Sequence, residues 1–205
     1  MRSLILAASC LLFASCATTE KVYVDSYSAE LICQASTDHY FDNGTLSKCR
    51  LTEPAMLGGI VCDGWIHFNE DGCIDQCLLA RPIPFSGLSV PVGSWLLFDT
   101  EDPDHIAVIM FPQDMVVEGV TVRGGVKIMT SFHQNGRLKG CFLREDQVID
   151  GIPCKASVFQ EVRFHENGQL ESCELSDDAT LGDMTLPAGD RIELDSSGQL
   201  ILLPL

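Results

Sequence analysis

The sequence predicts an all-β fold: an elongated array of about five to six antiparallel β-hairpin repeats, each 28 to 34 residues long. Three observations predict it. A spaced pattern of apolar residues and glycines recurs along the chain, each copy has the spacing of a β-hairpin, and no amphipathic helical pattern follows the N-terminal leader.

The repeat is counted from an aromatic residue, with glycine four residues later, an aliphatic residue at six, cysteine at nine and an aliphatic residue at eleven. Its full form is Phe164, Gly168, Leu170, Cys173 and Leu175. Other copies begin at Tyr40, Phe68, Phe132 and Leu194, and a degenerate copy with two extra turn residues begins at Phe98. We expect the residue at position zero to face the core in every copy.

The same register continues beyond each hairpin, so whole units repeat. Six residues after the closing aliphatic residue stands another apolar residue, followed two residues later by glycine in four copies and then by an apolar pair at alternate positions. These glycines are Gly59, Gly87, Gly119 and Gly151. Leu31 and Cys33 match the apolar pair and predict a half unit that caps the first hairpin.

The glycine at position four indicates a three-residue hairpin loop in which positions zero and six are cross-strand partners. Glycine accepts the left-handed backbone conformation that such a loop needs, and Asp104 is expected to take it in the third copy. The predicted turn glycines are Gly44, Gly72, Gly136, Gly168 and Gly198. They indicate backbone geometry and not a phosphate-binding loop.

Strict alternation would place positions six and nine on opposite faces of a strand, although both are apolar in the full copies. A β-bulge with one extra residue between them returns Cys173 and Leu175 to the face of Leu170. We therefore predict one bulge in each unit.

The N-terminus has the features of an export signal. Arg2 precedes an apolar run that ends in Phe13-Ala14-Ser15-Cys16, which predicts a signal peptide over residues 1–15 and lipidation of Cys16, with Cys10 as a rival site. Residues 16–30 are expected to form a lipidated tether and residues 31–205 the repeat domain. The expected location is the bacterial cell envelope, on the outer membrane or periplasmic face, with plain secretion as the alternative.

The chain is acidic, with 13 Lys and Arg against 29 Asp and Glu and a formal net charge of -16. We expect neither nucleic acid nor anionic lipid headgroups as partners, because both require a basic surface. The charge either serves solubility or matches a basic protein partner that it would steer into contact.

The cysteines fall into two columns of the repeat. One column holds Cys49, Cys77, Cys141 and Cys173, and the other holds Cys33, Cys62 and Cys154. Other copies have Val, Ile or Leu at these places, so the cysteines could be core residues, could form disulfides after export, or could bind a metal. Cys73 lies outside both columns and is predicted to be the partner of Cys77 in any reactive thiol pair.

Neither the histidines nor the acidic residues form a recognisable site. His133 and His165 directly follow the aromatic residue of their units and are predicted to be exposed beside the turns. The sequence contains no nucleophile elbow, phosphate loop, zinc-protease motif or dinucleotide fingerprint. We expect no enzyme activity, cofactor, metal or small-molecule substrate.

The Phe-x-x-Asn-Gly-x-Leu rhythm of residues 164–170 resembles the variant MORN repeats of bacterial proteins, including the YwqK-type antitoxins. The resemblance covers residues 40–205 and implies an antiparallel β-repeat fold with a role in binding or scaffolding. The first functional hypothesis is an envelope lipoprotein that binds an unknown protein partner. The second is an immunity protein whose acidic surface neutralises a basic toxin, and the third is a cysteine-based redox protein.

Overall fold

The computed structural model describes residues 18–201, which form 22 β-strands and one short 3-10 helix. This confirms the all-β fold. The strands are β1 (Thr19–Val24), β2 (Ala29–Gln34), β3 (His39–Tyr40), β4 (Leu46–Arg50), β5 (Ala55–Leu57), β6 (Ile60–Phe68), β7 (Ile74–Leu79), β8 (Ile83–Phe85), β9 (Leu88–Val90), β10 (Trp95–Phe98), β11 (Ile106–Met110), β12 (Met115–Val117), β13 (Val120–Val122), β14 (Thr130–Phe132), β15 (Leu138–Cys141), β16 (Gln147–Ile149), β17 (Ile152–Cys154), β18 (Val162–Phe164), β19 (Leu170–Glu174), β20 (Ala179–Leu181), β21 (Met184–Leu186) and β22 (Arg191–Glu193). The 3-10 helix is Asp25–Tyr27, between β1 and β2.

One long antiparallel sheet runs through the whole array. Its strand order is β22-β19-β18-β15-β14-β11-β10-β7-β6-β4-β3, with β5 also paired to β6. Ten strand spacings of about 4.8 Å give a length of roughly 48 Å across the strands. The array therefore grows by adding hairpins in sequence order.

Short hairpins alternate with the strands of the long sheet. They are β1 with β2, β8 with β9, β12 with β13, β16 with β17 and β20 with β21, while β5 makes the equivalent pair with the first part of β6. Their inner residues and those of the long sheet form one cluster of buried apolar side chains. Each unit thus has one strand pair in the long sheet and one short hairpin on the core side of that sheet. A unit buries its apolar face by stacking against the neighbouring units.

The register inside each hairpin is the one that the spacing predicts. Positions zero and six are partners in every copy except the degenerate third one, as in Phe164 with Leu170 and Leu194 with Leu200, while Phe98 pairs with Ile106 across the longer turn. The register shifts by one residue beside position zero, so that Ser131 pairs with Gly140 while Phe132 pairs with Leu138. This shift is the predicted bulge. Among the described residues, the cysteine at position nine is fully buried in each full copy.

All five predicted turn glycines have the left-handed backbone, with φ between +78° and +85° at Gly44, Gly72, Gly136, Gly168 and Gly198. Asp104 does not, so that prediction was wrong. The third turn closes differently because it has two extra residues: the Asp99 N–H donates to His105 O and the His105 N–H donates to Asp102 O, both at 2.9 Å. The longer loop reverses the chain without a left-handed residue at Asp104.

The prediction that the residue at position zero faces the core is confirmed for five residues, all of which are buried: Phe68, Phe98, Phe132, Phe164 and Leu194. Tyr40 is an exception, since 52% of its surface is exposed. Tyr40 lies on β3, the two-residue strand at the end of the long sheet, which has no further strand of that sheet beside it.

The expected tether over residues 16–30 was wrong from Thr19 onward. Strand β1 pairs with β2 along its whole length, and Val22 and Val24 are buried by strict alternation. The Tyr27 hydroxyl accepts the Ile74 N–H at 3.0 Å, which joins this hairpin to the second unit. The hairpin was missed because its loop is the 3-10 helix and not a glycine turn.

Candidate binding surface

The long sheet has one covered face and one face open to solvent. Along the covered face, register partners run from Cys49 through Ile66, Cys77 and Leu96 to Ile109, and all are buried. The next row of partners points the opposite way and crosses the sheet from β3 to β22. It consists of His39, Lys48, His67, Gln76, Leu97, Val108, Ser131, Gly140, Arg163, Ser172 and Glu193.

The open face is apolar at the centre of the array. Trp95 on β10 pairs with Leu78 on one side and Met110 on the other, and Leu97 pairs with Val108. With Trp65 on β6, which is 36% exposed, these residues define a surface that we call the apolar patch. Its members are Trp65, Leu78, Trp95, Leu97, Val108 and Met110, and each is partly exposed.

The equivalent positions toward the C-terminus are polar. The Arg191 guanidinium donates to the Ser172 hydroxyl at 3.0 Å and to the Gln160 side-chain oxygen at 2.8 Å, and Arg163 donates to Glu161 at 3.2 Å. Gly140 leaves the space that the Glu161 carboxylate fills. The apolar character is therefore a property of β6, β7, β10 and β11 and not of the repeat.

A cavity of about 450 Å³ opens at the margin of the apolar patch. Trp95, Met110 and Phe111 line one side, and the loop that carries Val126 and Lys127 lines the other. Val126 is 91% exposed, and Lys127 has φ +66°, an uncommon conformation for a residue other than glycine. An exposed valine therefore stands beside an open, mainly apolar cavity.

The N-terminal margin of the patch is cationic and aromatic. Lys48 Nζ lies 5.9 Å from the centre of the Trp65 ring, which lies 6.5 Å from the His67 ring. Burial lowers the pKa of His67, and the charge of Lys48 lowers it further, against the opposing effect of Asp75. His67 is thereby held toward its neutral form.

Acidic turns lie at one end of the strands that carry the patch. Glu70 and Asp71 are exposed between β6 and β7, and Glu101, Asp102 and Asp104 are exposed between β10 and β11. Five carboxylates on two neighbouring hairpins create a negative field beside an apolar surface.

The cysteine columns contain two disulfides, Cys33–Cys49 and Cys154–Cys173. Cys62, Cys73, Cys77 and Cys141 are free thiols. Burial, followed by the charge of Glu161, raises the pKa of Cys141 to about 12, so this thiol is unreactive in the folded protein. Cys10 and Cys16 lie outside the described residues.

The proposed pairing of Cys73 with Cys77 is not what the structure shows. Cys77 is fully buried, and its neighbour within hydrogen-bonding reach is Cys62. Cys73 is only half-buried, and it lies at the turn, where its N–H donates to the Asn69 side chain. The burial of Cys77 separates it from any solution substrate.

His133 and His165 are half-buried and join neighbouring units, so the expectation that they are simply exposed was wrong. His133 Nε2 hydrogen-bonds to Phe164 O at 2.8 Å, and His165 Nε2 hydrogen-bonds to Leu194 O at 2.9 Å. Asn135 and Asn167 donate to backbone carbonyls of the next turn in the same way. These side chains hold the turns in register and have a structural role.

The apolar patch was missed at the sequence level, although a signal existed. The third unit has two uninterrupted apolar runs, residues 95–98 and 106–111, where the fourth and fifth units alternate apolar with polar residues. Continuous apolar runs indicate strands with two apolar faces. The third unit was treated only as a degenerate copy of the repeat.

Within residues 18–201 no three side chains of the metal-binding types His, Cys, Asp and Glu come together in a cluster. The same residues contain no helix with the length and hydropathy to cross a membrane.

No family model matches the sequence, and no curated protein matches it. Among solved structures, alternansucrase in complex with isomaltononaose aligns with 89% of this chain and 16% of its own length, at 13% identity and a TM-score of 0.14. The chain thus spans only about a sixth of that protein, and so weak a likeness carries no argument about fold or function.

Proposed function

We propose that this protein is an exported, lipid-anchored protein of the bacterial cell envelope that acts as a non-catalytic protein-binding repeat module. The observation that carries the proposal is the apolar patch on the open face of the sheet. Tryptophan and methionine are enriched where proteins bind proteins, and a contiguous apolar area is costly to leave in water.

The partner that fits this surface is a basic protein with an exposed apolar contact residue. An apolar side chain of the partner would enter the cavity beside Trp95 and Met110, where water is displaced from both surfaces. Basic residues around it would face the carboxylates of Glu70, Asp71 and Glu101. The net charge of -16 would raise the rate of encounter with such a protein.

Export is supported by two independent features. The leader over residues 1–15 has the order of charges and apolar residues of a signal peptide. The disulfides Cys33–Cys49 and Cys154–Cys173 are of a kind that persists in oxidising compartments and is rare in the cytosol.

The test is a comparative capture from membranes of the source cells, with wild-type protein and a Trp95→Gln, Met110→Gln variant as baits. The matched control is Val148→Gln, which removes an apolar side chain that is 73% exposed on β16, away from the patch. A basic protein should bind wild type and the control, and binding should weaken by about tenfold or more with the double variant.

Two further measurements make the result decisive. Both tryptophans of the protein lie on the patch, so binding of the purified partner should change the intrinsic fluorescence. Raising the salt concentration should slow association, because screening weakens long-range attraction. Retention of the same partner by the double variant at wild-type affinity would refute the patch as the binding surface.

A second candidate function is immunity against a basic toxin, which the five exposed carboxylates at the β6–β7 and β10–β11 turns favour. In that case Glu70→Gln, Asp71→Asn, Glu101→Gln and Asp102→Asn together should abolish protection of cells that express a toxin from a neighbouring gene. Under the scaffold function these changes should slow binding but leave cell survival unchanged.

A further inference from the structure

The two disulfides occupy equivalent positions in their units. Each joins the cysteine at the end of a short hairpin to position nine of the long sheet. The backbone of Cys33 pairs as an antiparallel β-bridge with that of Leu51, two residues beyond Cys49. The backbone of Cys154 pairs in the same way with that of Leu175, two residues beyond Cys173. The two bonded pairs therefore occupy the same two positions of the repeat.

The second unit has cysteine at both positions. Cys62 pairs with Leu79, two residues beyond Cys77, so the backbone relation is the same as in the two bonded pairs. The bonded pairs have Cα separations of 6.0 and 5.7 Å, within the range that a disulfide requires. Cys62 and Cys77 are as fully buried as the four bonded cysteines.

Other units show what these positions hold when no bond can form. The third unit has Val90 with Ile109, and the fourth has Val122 with Cys141. Cys141 thus faces a valine and stays a thiol, whereas Cys77 faces a second cysteine.

We propose that Cys62 and Cys77 form a third disulfide in the exported protein. The two thiols lose two protons and two electrons as their sulfur atoms join. The electrons reduce the disulfide of an oxidised protein or small-molecule thiol oxidant to two thiols. One cysteine thiolate attacks that disulfide to give a mixed disulfide, and the second cysteine then displaces the oxidant's remaining thiol.

The bond forms before the units close on each other. In the folded protein both sulfur atoms lie in the core, out of reach of an oxidant. The neighbouring Cys77 thiol and burial also raise the pKa of Cys62, which removes the thiolate that exchange requires. A chain that folds with both thiols reduced therefore keeps them reduced, and oxidation belongs to the folding stage after export. This disulfide does not depend on the proposed binding function.

The test is thiol mapping of the full chain, expressed with its leader and recovered from the cell envelope. The protein is denatured without reductant and treated with iodoacetamide, then reduced and treated with N-ethylmaleimide. Trypsin and Asp-N place the cysteines on separate peptides, since cleavage occurs after Arg50 and before Asp63, Asp71 and Asp75. We expect the first label on Cys73 and Cys141, and the second label on Cys62 and Cys77.

The first label on Cys62 and Cys77 would overturn the proposal, whatever the state of the other two pairs. The variant Cys62→Val, Cys77→Ile copies the third unit and keeps the core filled. It should melt at a lower temperature than wild type without reductant and at the same temperature once both proteins are reduced. Equal melting temperatures without reductant would contradict a third bond.

Discussion

The turn glycine Gly44 is required by its backbone conformation and not by packing. Gly44 has φ +84°, and a Cβ added there would meet no atom within 4 Å. Gly44→Ala should therefore lower the free energy of unfolding by about 1–2 kcal/mol, which is the cost of a left-handed residue with a side chain. Gly44→Asn should cost less, because asparagine tolerates this region. Urea denaturation measures both variants, and equal losses would argue against a purely conformational cause.

His67 should make stability depend on pH. Its folded pKa lies below the ordinary value of 6.5, so the unfolded chain binds a proton at a higher pH than the folded protein does. The contribution of neutral His67 to the free energy of unfolding is complete well above pH 6.5 and is lost as the pH falls from about 6.5 toward the folded pKa. Below the folded pKa His67 is protonated in both states, and its effect on the free energy of unfolding no longer changes with pH.

The measurement is denaturation of wild type and His67→Gln between about pH 5 and 8. The difference between the two proteins cancels the other titrating groups. The free energy of unfolding of wild type should fall relative to that of His67→Gln as the pH becomes more acidic. A constant difference over the whole range would show that His67 does not titrate differently in the two states.

Among the elements, the hairpins of the long sheet were predictable because each depends on local rules. The loop glycine, the partners at positions zero and six and the bulge all lie within twelve residues, as in Phe164–Leu175. The β1–β2 hairpin was not predictable from the repeat, since its loop is a 3-10 helix without the spaced glycine. The predicted left-handed backbone at Asp104 was wrong for a related reason: two added residues allow the chain to reverse in another way.

The cysteine pairs show where local rules end. Spacing placed Cys33 and Cys49 in two columns, but valine and isoleucine fill the same columns elsewhere, so packing and bonding were equally compatible with the pattern. The choice depends on which columns face each other. The backbone pairing of Cys33 with Leu51, which joins a short hairpin to the sheet, brings the two columns together. That contact is between elements, and spacing within one unit does not contain it.

At the scale of the whole molecule, the apolar patch arises from the register between hairpins. Trp95 lies beside Leu78 only because β10 pairs with β7, and the patch therefore spans two units. The repeat dictates the covered face alike in all units, because that face must form one core. The open face is free to differ along the array, and its residues vary from Trp and Met at the centre to Arg and Ser toward the C-terminus. A repeat protein can thus keep one scaffold and carry a distinct local site.

Under the proposed function, the location of the whole molecule depends on Cys16, which lies outside the described residues. Acyl chains on this residue would contribute about 0.8 kcal/mol for each methylene that enters the membrane. Cys16→Ala should abolish incorporation of labelled palmitate and move the protein from the membrane to the soluble fraction. Cys10→Ala is the matched control and should behave as wild type, because the apolar segment before the rival site Cys10 is very short. The opposite pattern would move the lipidation site to Cys10, and membrane retention without label in both variants would contradict a lipid anchor.

Since neither Cys10 nor Cys16 belongs to the repeat, both variants should keep the fold and the apolar patch, so that location and binding can be tested separately.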